Sequence, residues 1–224
     1  MPEHLLVDGP RDGVATLTLD RAEKRNALSI ALRDEVSDAL DALAGDPDLR
    51  VAVVTGAGET FSAGFDLREF EGLGDEAHAR RLWASSDRFH RTVLAFPLPL
   101  VAAVNGPALG GGFDLSVMCD LRIAADTARF AHPERTFIEV VYGPLHDLVG
   151  GAVARELALT GRVLDAREAL ELRLVSAVVP RAELAAEAAR LAATIAEAPR
   201  DVLARMKAKI LRRSGVVAGD TLEL

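Results

Sequence analysis

The stretch that decides the fold runs from Pro99 to Glu134 and reads PLVAAVNGPALGGGFDLSVMCDLRIAADTARFAHPE. Its first part, Leu100 to Val104, is an apolar run with the length of a buried strand. Asn105-Gly106-Pro107 ends this run. Three consecutive glycines then precede a segment, 113–119, that is predicted as a short helix. The stretch therefore predicts a strand, a glycine turn and a helix in direct succession.

The glycine turn, Gly110 to Gly112, can expose backbone N–H groups. Because glycine has no Cβ, a ligand can approach the bare backbone at such a turn. The N–H groups there also lie at the positive end of the helix dipole, which suits an oxygen that gains negative charge. A tight turn that packs a helix on a strand uses glycines as well. The three glycines alone leave both interpretations open.

Two carboxylates accompany the turn: Asp114 follows the glycines closely, and Glu134 ends the stretch. With them, AAVNGPALGGGFDLSVMCDLRIAADTARFAHPE resembles the signature stretch of the crotonase family, the enoyl-CoA hydratases and isomerases. The resemblance is long and ordered, which makes it more specific than a short motif. It implies an α/β fold, a crotonase-like spiral of repeated ββα units with a C-terminal helical part.

Composition sets broad limits on function. The chain has 224 residues, of which 50% are hydrophobic and 27% charged, as is typical of a globular protein. A net charge of −8 without a basic patch argues against a nucleic-acid partner. The single cysteine, Cys119, lies in an apolar segment, so we expect a buried thiol and no internal disulfide. We find no secretory signal and no apolar run of ~20 residues, and expect a cytoplasmic protein without a membrane partner.

The chain before this stretch is predicted to alternate strands with a helix. Segments 5–7 and 14–19 are predicted as strands around a turn. Leu28, Leu32 and Val36 begin an apolar stripe at helical spacing, and Asn26 is the expected cap of that helix. Segment 51–55 is predicted as a buried strand, and 77–96 as a helix.

A second loop adds to the resemblance. Phe61-Ser62-Ala63-Gly64-Phe65-Asp66-Leu67 is similar to the F-[SC]-A-G-x-D-[IL] loop of the crotonase family. The resemblance implies that the N–H of Phe65 is one oxyanion donor and the N–H of Gly111 the other. Asp66 is expected to cap the next helix. The glycines at 56 and 58 do not have the spacing of a dinucleotide-binding motif.

The resemblance also implies where the CoA moiety and the acyl chain bind. LDRAEKRNAL, residues 19–28, is similar to a family loop near the CoA nucleotide, which makes Lys24 and Arg25 candidates for phosphate contacts, although charged loop residues are also typical of a solvated surface. We expect these further substrate-binding residues: Ala63, Asp66, Leu67 and Gly110. Residues 135–150 depart from the family pattern, so the resemblance leaves the acyl specificity open.

The C-terminal part returns to the family pattern. ELALTGR, residues 156–162, is similar to a family motif, and residues 165–171 are predicted as a short helix with an Asp cap. Segment 174–180 is predicted as a strand, followed by two helices. We expect a spiral core over residues 1–180, which holds the acyl-CoA site, and a C-terminal helical segment over residues 181–224.

The implied chemistry is proton transfer next to a thioester. Glu134 and Asp114 are the predicted catalytic carboxylates, and the two N–H groups would polarise the carbonyl. Relatives that hydrate a double bond usually carry glutamate at both positions, and Asp114 is one methylene shorter. Hydration of a 2-enoyl-CoA and a double-bond shift therefore both stay open.

The family also suggests what the chain needs and what it assembles with. CoA enters as part of the substrate, and we expect no cofactor and no metal. A homotrimer or a dimer of trimers is expected. The alternative is a non-catalytic CoA-ligand-binding or scaffold protein that kept the crotonase fold.

Overall fold

A computed structural model describes residues 2–214 and Thr221. Nine strands alternate with eight helices in this part of the chain. The strands are β1 (Leu5–Arg11), β2 (Val14–Leu19), β3 (Val51–Gly56), β4 (Leu100–Val104), β5 (Ala108–Leu109), β6 (Leu121–Ala125), β7 (Arg129–Ala131), β8 (Leu164–Asp165) and β9 (Ala177–Val179). The helices are α1 (Ile30–Ala44), α2 (Leu67–Phe70), α3 (Glu76–Ala95), α4 (Gly111–Met118), α5 (Gly143–Thr160), α6 (Ala166–Glu171), α7 (Leu184–Ala196) and α8 (Arg200–Ser214).

The strands form two sheets that the chain visits in turn. The larger sheet has the order β1-β2-β3-β4-β6-β9 and the smaller one β5-β7-β8. In the larger sheet only β1 and β2 pair in antiparallel fashion, and the other neighbours are parallel. Strands β4 and β5 precede α4, and strands β6 and β7 precede α5. This succession is the predicted spiral of ββα units.

The central strands β3 and β4 of the larger sheet are buried on both faces, which explains their runs of valine and alanine. One face packs in the main core with Leu32 and Val36 of α1 and Phe89 of α3. The other face packs against α7, through Leu184 and Ala188 among others. Within the described residues no helix is both long enough and apolar enough to cross a membrane.

Three details of the predicted elements need correction. Helix α1 is capped by Ser29, whose Oγ accepts from Leu32 N–H at 3.3 Å, and not by Asn26. Asn26 is instead buried in a left-handed conformation and donates to the carbonyl oxygens of Ala57 and Thr60. Helix α4 begins at Gly111 rather than at Phe113. Strand β9 begins at Ala177 and is shorter than the predicted segment 174–180.

Two predicted caps are confirmed by the backbone geometry. Asp66 accepts from Arg68 N–H at the start of α2, and Asp165 accepts from Glu168 N–H at the start of α6. Both aspartates precede their helix directly, which is why the local sequence is enough to identify them.

Candidate active site

Segments that follow β3, β4 and β7 enclose a cavity of about 150 Å³. Ligand sites of α/β proteins commonly lie beyond the carboxyl ends of their strands. The residues that line it are Ala63, Gly64, Phe65, Leu67, Phe70, Gly110, Gly111, Asp114, Pro133, Glu134, Phe137, Ile138, Glu139, Val141 and Thr221. Both predicted loops and both predicted carboxylates therefore meet in one place.

Backbone hydrogen bonds hold the two loops side by side. The N–H groups of Phe61 and Ser62 donate to the carbonyl oxygen of Pro107 at 3.0 and 3.2 Å, and Leu109 N–H donates to Ser62 O at 2.9 Å. A Cβ on Gly64 would lie 3.1 Å from Gly111 N and 2.7 Å from Leu109 O. The contact is thus backbone against backbone, and only glycine fits at position 64, where φ is +87°.

Two amide groups are left available at this junction. Gly111 is the first residue of α4, so its N–H has no acceptor within the helix. Neither Gly111 N–H nor Phe65 N–H donates to another group among the residues that the structure describes. Both residues line the cavity. A pair of free N–H donors beside a cavity, one of them at a helix N-terminus, suits an oxygen that carries negative charge.

Arg33 contacts the Phe65 loop from helix α1 and was missed by the sequence reasoning. Its guanidinium lies 4.5 Å from the centre of the Phe65 ring, and it donates to Leu28 O at 2.7 Å. Burial lowers the pKa of Arg33 to about 10, while Glu69 and Asp34 oppose that shift, so the side chain is charged at neutral pH. An arginine beside Leu32 at the start of the apolar stripe of α1 was the available signal.

The two carboxylates reach the cavity from different elements. Asp114 is buried in the first turn of α4, and Glu134 follows Pro133 in a 3-10 turn, Pro133–Thr136. Oε2 of Glu134 is buried without a hydrogen-bond partner. Burial and the nearby Asp114 charge raise the pKa of Glu134 to about 7, and His132 partly opposes them. A carboxyl that titrates near neutral pH can act as a general acid or base.

His132 lies close to both carboxylates and was assigned no role from the sequence. Its Nε2 is 2.8 Å from Asp114 Oδ1, and its ring stacks on Phe113 with 4.6 Å between centroids. Burial lowers the pKa of His132, but the charge of Asp114 and its hydrogen bond, with help from Glu134, raise it overall. The pairing joins residues 18 apart in the chain, and no local pattern indicates it.

The donor atoms of Asp114, His132 and Glu134 lie within 4.8 Å of one another. Metal sites are also built from imidazole and carboxylate groups. Here the imidazole and Asp114 are already joined by a direct hydrogen bond. Glu134 lies close to this pair without a hydrogen bond to Oε2 among the described residues, and the expectation that the protein needs no metal stays a prediction.

The residues predicted to bind substrate divide into two sets. Ala63, Leu67 and Gly110 line the cavity. Lys24 and Arg25 are exposed and do not line it, but the carbonyl oxygen of Arg25 accepts from Ala63 N–H at 2.9 Å, which places their loop next to the site.

Asp66, the other residue of the second set, does not line the cavity either. Besides capping α2 it pairs with Arg21 at 3.3 Å. Its contacts are thus structural ones.

The outer side of the cavity is mostly exposed. Phe137, which is 61% exposed, lies there with Ile138 and Glu139. The backbone between the 3-10 turn and α5 forms no helix or strand. Phe70 closes another side and packs against the rings of Phe65 and Trp83.

Comparison with known proteins agrees with this geometry. The sequence model of the family "Enoyl-CoA hydratase/isomerase" matches residues 9–219. The chain belongs to the enoyl-CoA hydratase/isomerase family. It is 40% identical over 189 residues to a probable enoyl-CoA hydratase of Mycobacterium bovis, which covers 82% of this chain and 72% of the relative.

Other members of the family lie at a similar distance. A crotonyl-CoA hydratase of Syntrophomonas wolfei is 37% identical over 187 residues, or 81% of this chain and 72% of the relative. The crystal structure of an enoyl-CoA hydratase from Bacillus anthracis superposes with a TM-score of 0.89 and 36% identity, over 96% of this chain and 85% of that one. The crotonase fold expected from the sequence is thus confirmed.

Proposed function

We propose that this chain is an acyl-CoA-processing enzyme of the hydratase/isomerase type. The observation that carries the proposal is the meeting of two free N–H groups, on Phe65 and Gly111, with a carboxyl group that titrates near pH 7, on Glu134. Such a site can hold an oxyanion and move a proton close to it.

In this proposal the thioester carbonyl accepts hydrogen bonds from both amides. Electron density that flows into the carbonyl during the reaction is then stabilised, which makes a C2 proton removable and C3 electrophilic. Removal of one such donor typically costs ~10²–10³ in rate. Because both donors are backbone groups held by neighbouring loops, they are preorganised before the substrate arrives.

The carboxylates would then transfer the protons. In hydration, Asp114 takes a proton from a water molecule as its oxygen bonds to C3, and protonated Glu134 delivers a proton to C2. In isomerisation, one carboxylate removes a proton from C2 and returns it at C4, or the reverse. General acid–base catalysis of this kind contributes ~10²–10⁴ in rate.

We favour hydration of a short 2-enoyl-CoA. Relatives at 40% and 37% identity are a probable enoyl-CoA hydratase and a crotonyl-CoA hydratase. The cavity is small, about 150 Å³, and its lining is largely apolar. A double-bond shift is the second reaction that the same carboxylates support.

The remaining expectations belong to the same proposal. Lys24 and Arg25 would meet CoA phosphates beside the loop that contains Ala63, and the CoA thioester would enter as substrate without another cofactor. Asp66 would keep that loop in place through its cap and its pair with Arg21. A homotrimer or a dimer of trimers, a cytoplasmic location and a boundary near residue 180 complete it.

A binding or scaffold protein is the alternative, and one observation favours it. The outer side of the cavity at residues 137–139 is exposed, which differs from a site that closes around an acyl chain. In a binder the N–H groups of Phe65 and Gly111 would still donate to the thioester carbonyl, but no product would form.

The test is turnover by the purified protein of a 2-enoyl-CoA, a 3-enoyl-CoA and a 3,5-dienoyl-CoA, with products separated by mass. Hydration adds the mass of water, whereas isomerisation leaves the mass unchanged. A water adduct from the 2-enoyl-CoA supports the favoured reaction, and a product of equal mass supports the second. Absence of any product contradicts the enzyme proposal.

Thermal stability with CoA and acyl-CoA separates the binder from a chain that binds neither. A ligand at 100 times its Kd should stabilise the protein by about 2.7 kcal/mol. Stabilisation without turnover identifies a binder. If the protein shows no stabilisation by either ligand and no turnover, both functions are contradicted.

A further inference from the structure

We propose that His132 is a positioning residue: it holds Oδ1 of Asp114 and thereby presents the other carboxylate oxygen to the reacting water or acyl carbon. This inference rests on the proposed function and assigns a role that neither the sequence motifs nor the likeness to relatives supplies.

The position of His132 is fixed by the backbone of the site itself. It directly follows β7, whose last residue, Ala131, accepts a hydrogen bond from Gly110 N–H at 2.9 Å. His132 is 1% exposed. The histidine is therefore attached to the same glycine turn that leads into Asp114.

The imidazole has one polar contact, and that contact is to the carboxylate. Nε2 lies 2.8 Å from Asp114 Oδ1, whereas Nδ1 is buried with no hydrogen-bond partner among the residues that the structure describes. Phe113, the neighbour of Asp114, stacks on the ring at 4.6 Å. A side chain that only filled space here would be apolar, because burying a nitrogen without a partner costs free energy.

The contact matters because Asp114 is short. A hydratase of this family usually carries glutamate at this position, and a displacement of ~1 Å in a catalytic group can cost ~10²-fold. A carboxylate held at one oxygen by a buried, stacked imidazole cannot rotate freely. His132 thus fixes the geometry that the missing methylene would otherwise change.

The charges of Asp114, His132 and Glu134 also support the positioning role of His132. The groups that face His132 are Asp114 on α4 and Glu134 in the 3-10 turn, and Asp114 also faces the buried His90 on α3. Asp114 raises the pKa of His132 and thereby favours its imidazolium form. That positive charge also limits the rise in the pKa of Glu134.

The experiment compares His132→Gln, His132→Ala, Asp114→Asn and the double variant Asp114→Asn/His132→Gln on the substrate that the wild type turns over best. Glutamine can still donate to Asp114 but carries no charge. We expect kcat to fall about 10-fold in His132→Gln and about 100-fold in His132→Ala, with KM changed less than about 3-fold. His146→Gln, on the exposed start of α5, is the matched control.

Two readouts separate positioning from a merely structural role. Because His132 acts through Asp114, the double variant should be no slower than Asp114→Asn alone. Loss of the imidazolium should also move the limb of the pH–rate profile that reports Glu134 to higher pH. A structural role would lower stability and active fraction without moving that limb.

The outcomes are distinguishable from those of the proposed function. A wild type without turnover contradicts both. If the wild type is active, two results contradict this inference alone. One is that His132→Gln and His132→Ala keep the wild-type kcat and pH profile. The other is that the fold-loss of kcat in the double variant equals the product of the fold-losses in Asp114→Asn and His132→Gln. His132→Gln, which keeps the hydrogen bond, covers the case in which His132→Ala fails to fold.

Discussion

The floor and the wall of the cavity are held in different ways. The floor comprises the cavity-lining residues Gly110, Gly111, Asp114 and Glu134 together with His132, which bonds Asp114. The wall comprises residues 137–139. The floor is tied to the small sheet and to the Phe61–Leu67 loop by backbone hydrogen bonds, and most of it is buried. The wall lies between a 3-10 turn and α5, outside any helix or strand, and is mostly exposed.

This difference separates reaction from specificity. Catalytic groups need placement within a fraction of an ångström, and the sheet supplies it to the floor. A wall with few bonds to the rest of the fold tolerates sequence change, and residues 135–150 are where the chain departs from the family pattern. Substitutions in the floor should therefore lower kcat, and substitutions in the wall should change KM.

Apart from removal of the Glu134 carboxylate, the largest effect is expected from Gly64→Ala. The new Cβ would meet Leu109 O at 2.7 Å at a φ of +87°, so the Phe65 donor must move away from Gly111. Loss of that donor should lower kcat/KM by ~10²–10³. Gly74→Ala, where a Cβ meets nothing within 4 Å, is the control. If circular dichroism shows that both variants are folded and their activities are equal, this loop has no role in the reaction.

The rate should depend on pH through Glu134, whose pKa is about 7. If protonated Glu134 donates to C2 in hydration, kcat/KM falls as pH rises through about 7. If ionised Glu134 is the base of an isomerisation, kcat/KM rises over the same range. A flat profile between pH 6 and 8 would show that Glu134 does not transfer the rate-determining proton.

Glu134 should also lower the folding stability of the protein at high pH. Because folding raises the pKa of Glu134 from 4.5 to about 7, the folded state binds its proton more tightly, and stability falls as pH rises through that window. Glu134→Gln should therefore raise Tm by a few degrees at pH 8, since the shift corresponds to at most about 3 kcal/mol. At pH 4 the variant and the wild type should melt alike. A Tm gain that is the same at both pH values would contradict a raised pKa.

A smaller effect is expected in the wall. Phe137→Ala removes an exposed ring beside the cavity, so KM for longer acyl chains should rise about 3–10-fold while kcat stays within about 3-fold. Leu159→Ala is the matched control, because Leu159 is also a large exposed apolar residue but does not line the cavity. A loss of kcat larger than the change in KM would show that Phe137 acts on the reaction, as the floor residues do, and not on acyl-chain binding.

The smallest effect is expected at the proposed CoA loop. Lys24→Gln should raise KM about 2–3-fold at low salt, and the difference should vanish at high ionic strength because exposed charges are screened. Lys209→Gln on α8 is the control. Unchanged KM at low salt would remove Lys24 from the substrate site.

Local patterns predicted the floor's backbone but not its polar contacts. The strand at 100–104, the glycine turn and the Asp caps depend on neighbouring residues, and the resemblance placed Asp114 and Glu134. The pairing of His132 with Asp114 and the contact of Arg33 with Phe65 join distant residues, so they depend on the fold. Asn26 was mistaken for a cap because the same side chain can serve either purpose; the folded loop shows its amide bridging to Ala57 and Thr60.

The most direct test compares Glu134→Gln with Glu183→Gln on the three acyl-CoA substrates. Both glutamates lie in a 3-10 turn that has a proline at or just before its first residue, but Glu183 is exposed and does not line the cavity. The account predicts that Glu134→Gln lowers kcat by ~10²–10⁴ with intact folding, and that Glu183→Gln keeps wild-type turnover. Turnover that survives in Glu134→Gln, or falls equally in both, would contradict a proton transfer at Glu134.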